Sequence, residues 1–90
     1  MHTRCVVSFN NREFKIRCDQ NTCVAALQIK LRKHLQMNEQ EAMFLFFRVG
    51  YMERERLFPA QATLAEIARQ VPGDVIYVQV LRENCFGASI

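Results

Sequence analysis

Two alternating runs separated by a pair of asparagines constrain this chain more than anything else in it. Cys5, Val7 and Phe9 alternate with Val6 and Ser8, and Phe14, Ile16 and Cys18 alternate with Glu13, Lys15 and Arg17. A period of two puts the apolar members of each run on one side of an extended strand. Asn10-Asn11 supplies turn residues between the runs, so the segment reads as a β-hairpin. A covering layer follows directly. Asn21 or Thr22 can cap a helix in which Val24, Leu27, Leu31 and Leu35 recur at three- and four-residue steps, one buried stripe with Lys30, Lys33 and His34 turned outward.

Beyond the helix, Ala42-Met43-Phe44-Leu45-Phe46-Phe47 is a short aromatic-rich apolar run that reads as a third strand buried on both faces. Arg48 to Ala62 holds Gly50, Pro59 and the charge run Glu53-Arg54-Glu55-Arg56, fits neither period, and reads as a long surface loop. Thr63-Leu64-Ala65-Glu66 has the spacing of a capping box, with the threonine hydroxyl on the N3 amide and the glutamate reaching back to the cap amide. That second helix should stop near Pro72-Gly73. Val75 to Leu81 then has the β-branched content of a central strand. The order ββαβ, loop, αβ, with first and last strands able to pair side by side, is that of the ubiquitin-like β-grasp roll. The expected class is α+β, with a four-stranded mixed sheet, one main helix and one short helix.

Ninety residues make one domain with a modest core and leave little room for an enzyme with a deep pocket. Half the residues are apolar and 23% charged, a globular balance without low-complexity tracts. The amino terminus has too short an apolar run for a signal peptide, and no stretch approaches a membrane span, so the expected location is the cytoplasm. Cys5, Cys18, Cys23 and Cys85 lack CxxC spacing and read as free thiols rather than as a disulfide or metal framework. His34 sits in a basic run with no carboxylate nearby in sequence, and His2 lies near the terminus, so no active site, metal or cofactor is expected. The net charge of +3 does not argue for nucleic acid, but Arg12, Lys15, Arg17, Lys30, Arg32, Lys33 and His34 crowd the first half and predict one basic face.

The end of the chain carries the chemistry. Glu83-Asn84-Cys85-Phe86-Gly87 follows the last strand, and only Ala88-Ser89-Ile90 comes after it. Glycine has no Cβ, so a tail ending in Gly87 can thread a narrow active site and present a bare carbonyl to a nucleophile. Terminal segments are also accessible to proteases.

Three patches resemble the autophagy branch of ubiquitin-like modifiers, the autophagy-related protein eight family that includes GABARAP. They are Leu31-Arg32-Lys33-His34-Leu35 leading to Glu41-Ala42-Met43-Phe44-Leu45-Phe46; Leu57-Phe58-Pro59-Ala60-Gln61-Ala62-Thr63-Leu64; and Asp74-Val75-Ile76-Tyr77-Val78 leading to the Phe86-Gly87 ending. The resemblance spans about residues 3 to 87 and implies a domain over 1–87 with a removable extension over 88–90. It implies a substrate, not an enzyme. A cysteine protease exposes Gly87, with Phe86 read as part of the tail, and E1-like and E2-like enzymes pass it as a thioester to phosphatidylethanolamine on the autophagosomal membrane.

The family also docks short motifs with an aromatic and an aliphatic anchor along the edge of the hairpin's second strand. Carried over, Lys15 is the motif-contacting lysine, and Ile16, Cys18 and Leu27 line the aliphatic pocket, with core packing as their competing use. Arg17 and Lys30 depart from the family, standing where it has apolar pocket residues, and a charge there opposes burial of an aromatic anchor. The family's amino-terminal helix pair has no counterpart here. That absence is shared with the sister autophagy-related protein twelve, which is joined to a protein lysine and is the alternative reading. A third alternative is a ubiquitin-like interaction domain that never conjugates.

Overall fold

Asn10 and Asn11 have φ of 51° and 62°. Both are left-handed values, which a two-residue turn between right-twisted strands requires and which asparagine tolerates better than most residues. The turn joins β1 (His2–Phe9) to β2 (Arg12–Asp19) in a register running from Phe9 opposite Arg12 to His2 opposite Asp19. The structure, a computed structural model, describes residues 2–38, 40–50, 54–71 and 73–84.

Helix α1 (Val24–Leu35) buries Val24, Leu27 and Leu31 and half-buries Leu35, the expected stripe. Its cap differs from expectation. Cys23, not Asn21 or Thr22, is the N-cap, and it makes no side-chain cap bond. The backbone does the work instead: Val24 and Ala25 donate to the carbonyls of Ala62 and Ala60, each at 2.9 Å, while Leu64 and Ala65 of the second helix donate to Thr22 and Gln20, also at 2.9 Å. The two helix starts thus satisfy each other's orphan amides across a Cys23–Thr63 bridge. The far end of α1 closes on Gln36, in the left-handed region at φ 55°, with Met37 donating to the Arg32 carbonyl at 2.9 Å.

The remaining elements are β3 (Glu41–Val49), β4 (Arg54–Arg56), α2 (Leu64–Ala68) and β5 (Val75–Asn84). The sheet order is β2-β1-β5-β3-β4. As expected, the first and last strands pair side by side, β5 running parallel to β1 and antiparallel to β3. The sheet has five strands rather than four. The extra strand lies inside the segment expected to be loop: Arg54, Glu55 and Arg56 pair with Val49, Arg48 and Phe47. Three charged, exposed residues leave no hydrophobic period to read.

A second correction concerns β3, which is buried on one face only. Met43, Leu45 and Phe47 are inside, while Phe44 and Arg48 are exposed. The helices cover a single side of the sheet, so the strand alternates despite its run of aromatics. Thr63 caps α2 through its hydroxyl, which accepts from the Glu66 amide at 3.3 Å. The Glu66 carboxylate accepts a hydrogen bond from the Thr63 hydroxyl at 3.2 Å instead of reaching the cap amide. α2 ends at Ala68, one turn before the expected stop. The core joins Cys5, Val7, Ile76, Val78, Leu45 and Phe47 of the sheet to Leu27, Leu31, Leu64 and Ile67 of the helices, with Phe58 edge-on to Phe47 at 5.5 Å.

Candidate functional site

The sheet order makes β2 an eight-residue edge strand, paired with β1 and with nothing else among the described residues. Such an edge presents unpaired amides and carbonyls to an incoming strand. Lys15 and Arg17 are exposed on it, and Ile16 is half-buried between them. Cys18 and Leu27, at 3% and 0% exposure, are members of the core. Of the three residues expected to line an aliphatic pocket, Ile16 alone reaches the surface.

Lys30 crosses from α1 to this edge. Its Nζ donates to the Arg17 carbonyl at 3.3 Å and lies 3.8 Å from Cys18 Sγ. An ammonium therefore spans the α1–β2 groove. Further along the groove His34 stacks on Phe14, ring centroids 4.7 Å apart, so α1 lays Lys30 and His34 against opposite ends of β2.

Behind the groove, burial and then the neighbouring Cys18 push the Cys5 thiol up from its ordinary 9.0 to about 12, against a partial offset from the Lys30 ammonium. A thiol held protonated is a poor nucleophile. It also predicts alkaline destabilisation. Between pH 9 and 12 the folded chain keeps a proton that the unfolded chain releases, so stability is full below about 9 and falls as pH rises through that window. Melting temperatures from pH 7 to 11 should decline less steeply above 9 in Cys5→Ala than in the parent; equal slopes would refute the assignment.

The other expected site is the tail. β5 is a central strand that outruns its pairing with β1 at Gln79 and continues beside β3 to Asn84, opposite Glu41. Its last turn of side chains is pinned: Arg82 Nε lies 3.4 Å from Glu41 Oε2, a buried oxygen with no hydrogen bond, and the guanidinium sits 5.7 Å over the Phe9 ring. Cys85, Phe86, Gly87 and the 88–90 extension lie outside the described residues. The sequence reading missed the exposed sheet face that carries Phe44, Tyr77 and Leu81. Its signal was present: Tyr77, Gln79 and Leu81 alternate with Ile76, Val78 and Val80, a strand with one face left over.

The architecture is a ubiquitin-like β-grasp fold. Solved structures share it: ATG8 of Trypanosoma brucei superposes with a TM-score of 0.69 at 17% identity, over 92% of this chain and 74% of that one. Ubiquitin of Caldiarchaeum subterraneum gives 0.60 at 14%, over 90% and 95%. The ubiquitin-like domain of an Arabidopsis thaliana protein gives 0.59 at 16%, over 89% and 76%. No protein-family model matches the chain, and no curated protein does.

Proposed function

We propose that this chain is an autophagy-type ubiquitin-like modifier, cut after Gly87 by a cysteine protease and passed by E1-like and E2-like enzymes to phosphatidylethanolamine. It works in the cytoplasm and, once conjugated, on the autophagosomal membrane. The observation that carries this reading is the delivery of the tail: a central strand, pinned through Arg82 and Glu41, ends at Asn84 and is followed in sequence by Cys85-Phe86-Gly87. A firmly held domain feeding a glycine-ended tail is what adenylation and thioester transfer need from a substrate. The likeness to ATG8 of Trypanosoma brucei supports the autophagy branch. The test is the intact mass of an amino-terminally tagged chain in autophagy-competent extract. Loss of Ala88-Ser89-Ile90 with a lipid-sized gain supports the proposal, a protein-sized adduct supports the twelve-type alternative, and an unchanged mass refutes conjugation.

The docking role falls to the β2 edge, with Lys15 and Ile16 meeting the motif. Lys30 opposes it, because an apolar anchor entering the groove must desolvate its ammonium or displace it from the Arg17 carbonyl. Lys30→Ala should strengthen binding of an aromatic/aliphatic motif peptide several-fold in a calorimetric titration. Unchanged or weaker binding would place the motif elsewhere.

A further inference from the structure

Three reactive side chains meet where α1 crosses the open end of the hairpin. Cys5 faces Ile16 across the β1–β2 ladder and Cys18 faces Thr3, so the two cysteines are diagonal neighbours, both on the core face. Their thiols share a hydrogen bond. On a flat ladder such neighbours stand about 7–8 Å apart. The right-handed twist of a hairpin shortens one diagonal and lengthens the other, and the hydrogen bond puts Cys5 and Cys18 on the short one. The third group is Lys30, whose Nζ lies 3.8 Å from Cys18 Sγ while donating to the Arg17 carbonyl at 3.3 Å.

The two sulfurs are not equivalent. Burial first, and Cys18 second, hold the Cys5 thiol protonated, whereas Cys18 has an ammonium against its sulfur. A cation in that position attracts negative charge that develops during reaction, on the sulfur or on a departing oxygen. Access runs past one flexible side chain. Cys18 is 3% exposed, but the atom over its sulfur belongs to the exposed Lys30, and Cys18 is the last residue but one of the edge strand. A cleft whose walls include Cys5, Ile16 and Arg17 opens beside the pair. Cys23, half-buried at the start of α1, supplies a reference thiol.

We propose that Cys5 and Cys18 form a hydroperoxide-sensitive dithiol, with Cys18 as the attacking sulfur, the Lys30 ammonium beside it and Cys5 as the resolving thiol. Cys18 attacks the terminal oxygen of a hydroperoxide. The S–O bond forms as the O–O bond breaks, and the departing alkoxide takes a proton from Lys30, which regains the one that Cys18 gave up. Cys5 then attacks the Cys18 sulfenic acid. The S–S bond forms, the S–O bond breaks, and the hydroxide leaves as water with the Cys5 proton. Two thiols and one hydroperoxide thus give one disulfide, one alcohol and one water. Sulfurs already in contact need no encounter, which offsets the weak nucleophilicity of a protonated thiol. The Cys18 charge that helps to hold that proton is also absent from a neutral sulfenic acid. A diagonal bridge sits at the long end of the Cα span of a relaxed disulfide, about 4.4–6.8 Å, so the bond is strained and readily reduced. Oxidation also draws Cys18 away from Lys30 and loosens the ammonium that spans the α1–β2 groove. That effect on docking rests on the β2-edge reading, but the thiol chemistry does not, and neither depends on Gly87.

The test treats the full-length chain at neutral pH with one equivalent of tert-butyl hydroperoxide, alkylates the remaining thiols and maps the peptides by mass. A Cys5–Cys18 link lacking two hydrogens should form at least about tenfold faster than Cys23 is oxidised, and dithiothreitol should reverse it. Cys5→Ala should stop at a Cys18 sulfenic acid that dimedone captures. Cys18→Ala should leave Cys5 reduced. Lys30→Met, which keeps the bulk of the side chain without its charge, should slow oxidation of Cys18 by about tenfold, and Lys30→Arg should keep most of the parent rate. Melting curves check that each variant folds, and the order of thiol loss in the parent decides the question where one does not. Oxidation of Cys18 no faster than that of Cys23, or an equal rate in Lys30→Met, would overturn the proposal. So would a Cys18–Lys30 sulfenamide, or a disulfide through Cys23 or Cys85, in place of the Cys5–Cys18 link.

Discussion

A Gly87→Ala chain is expected to stay at its unconjugated mass in autophagy-competent extract while the parent is converted. The effect should be near-complete loss, because the same residue is asked to do two things. It must pass through the protease and adenylating sites as backbone without a side chain, and once its carboxylate is adenylated the carbonyl must be attacked by a thiol that expels AMP, without a Cβ crowding the approach. Added methyl bulk acts at each step in series, so small losses multiply. Stability supplies the control. Gly87 lies three residues past the end of β5 at Asn84, and its replacement should leave the melting curve within about 0.5 kcal/mol of the parent. Full conversion of Gly87→Ala would refute the modifier reading and leave a docking domain; loss of conversion together with loss of folding would say nothing specific about the tail, which is why both readings are taken on one preparation.

The hairpin and the stripe of α1 were legible because each rests on period and turn chemistry, which are local, whereas the side-by-side pairing of the first and last strands followed from the fold class that the order of elements suggests. Asn10-Asn11 needed no tertiary information to be a turn. What escaped was set by distant partners. The cap of α1 could not be read from Asn21 or Thr22, because its amides are met by carbonyls of residues 60 and 62, far along the chain. β4 is held by hydrogen bonds to β3 alone and has no apolar side chain to announce it. The edge position of β2 followed from the fold class, and Lys15 and Arg17 fell on it as expected. The burial of Cys18 and Leu27 was decided by the closeness of α1, and the reach of Lys30 to the Arg17 carbonyl is likewise a property of packing rather than of pattern. For Phe86 and Gly87 the argument remains one of sequence.

The aromatic run of β3 should give a large stability contrast between its two faces. Phe44 and Phe47 differ by three positions and therefore face opposite sides of the strand. Phe47 is fully buried and meets Phe58 edge-on at 5.5 Å, whereas Phe44 is 36% exposed opposite Leu81. Phe47→Ala removes a ring from close-packed surroundings and leaves a void that the sheet cannot collapse to fill, at a cost of about 3–5 kcal/mol. For a domain of this size that lowers the melting temperature by roughly 15–30 °C and consumes much of a total stability of about 5–15 kcal/mol. Phe44→Ala forgoes a cross-strand contact and some strand propensity, about 1 kcal/mol. Thermal melts of the two variants should therefore differ several-fold in their shift. Equal shifts would mean that β3 is buried on both faces, as its run of apolar residues alone suggests. The expected inequality would divide one run of six residues into a side that holds the fold and a side that faces solvent.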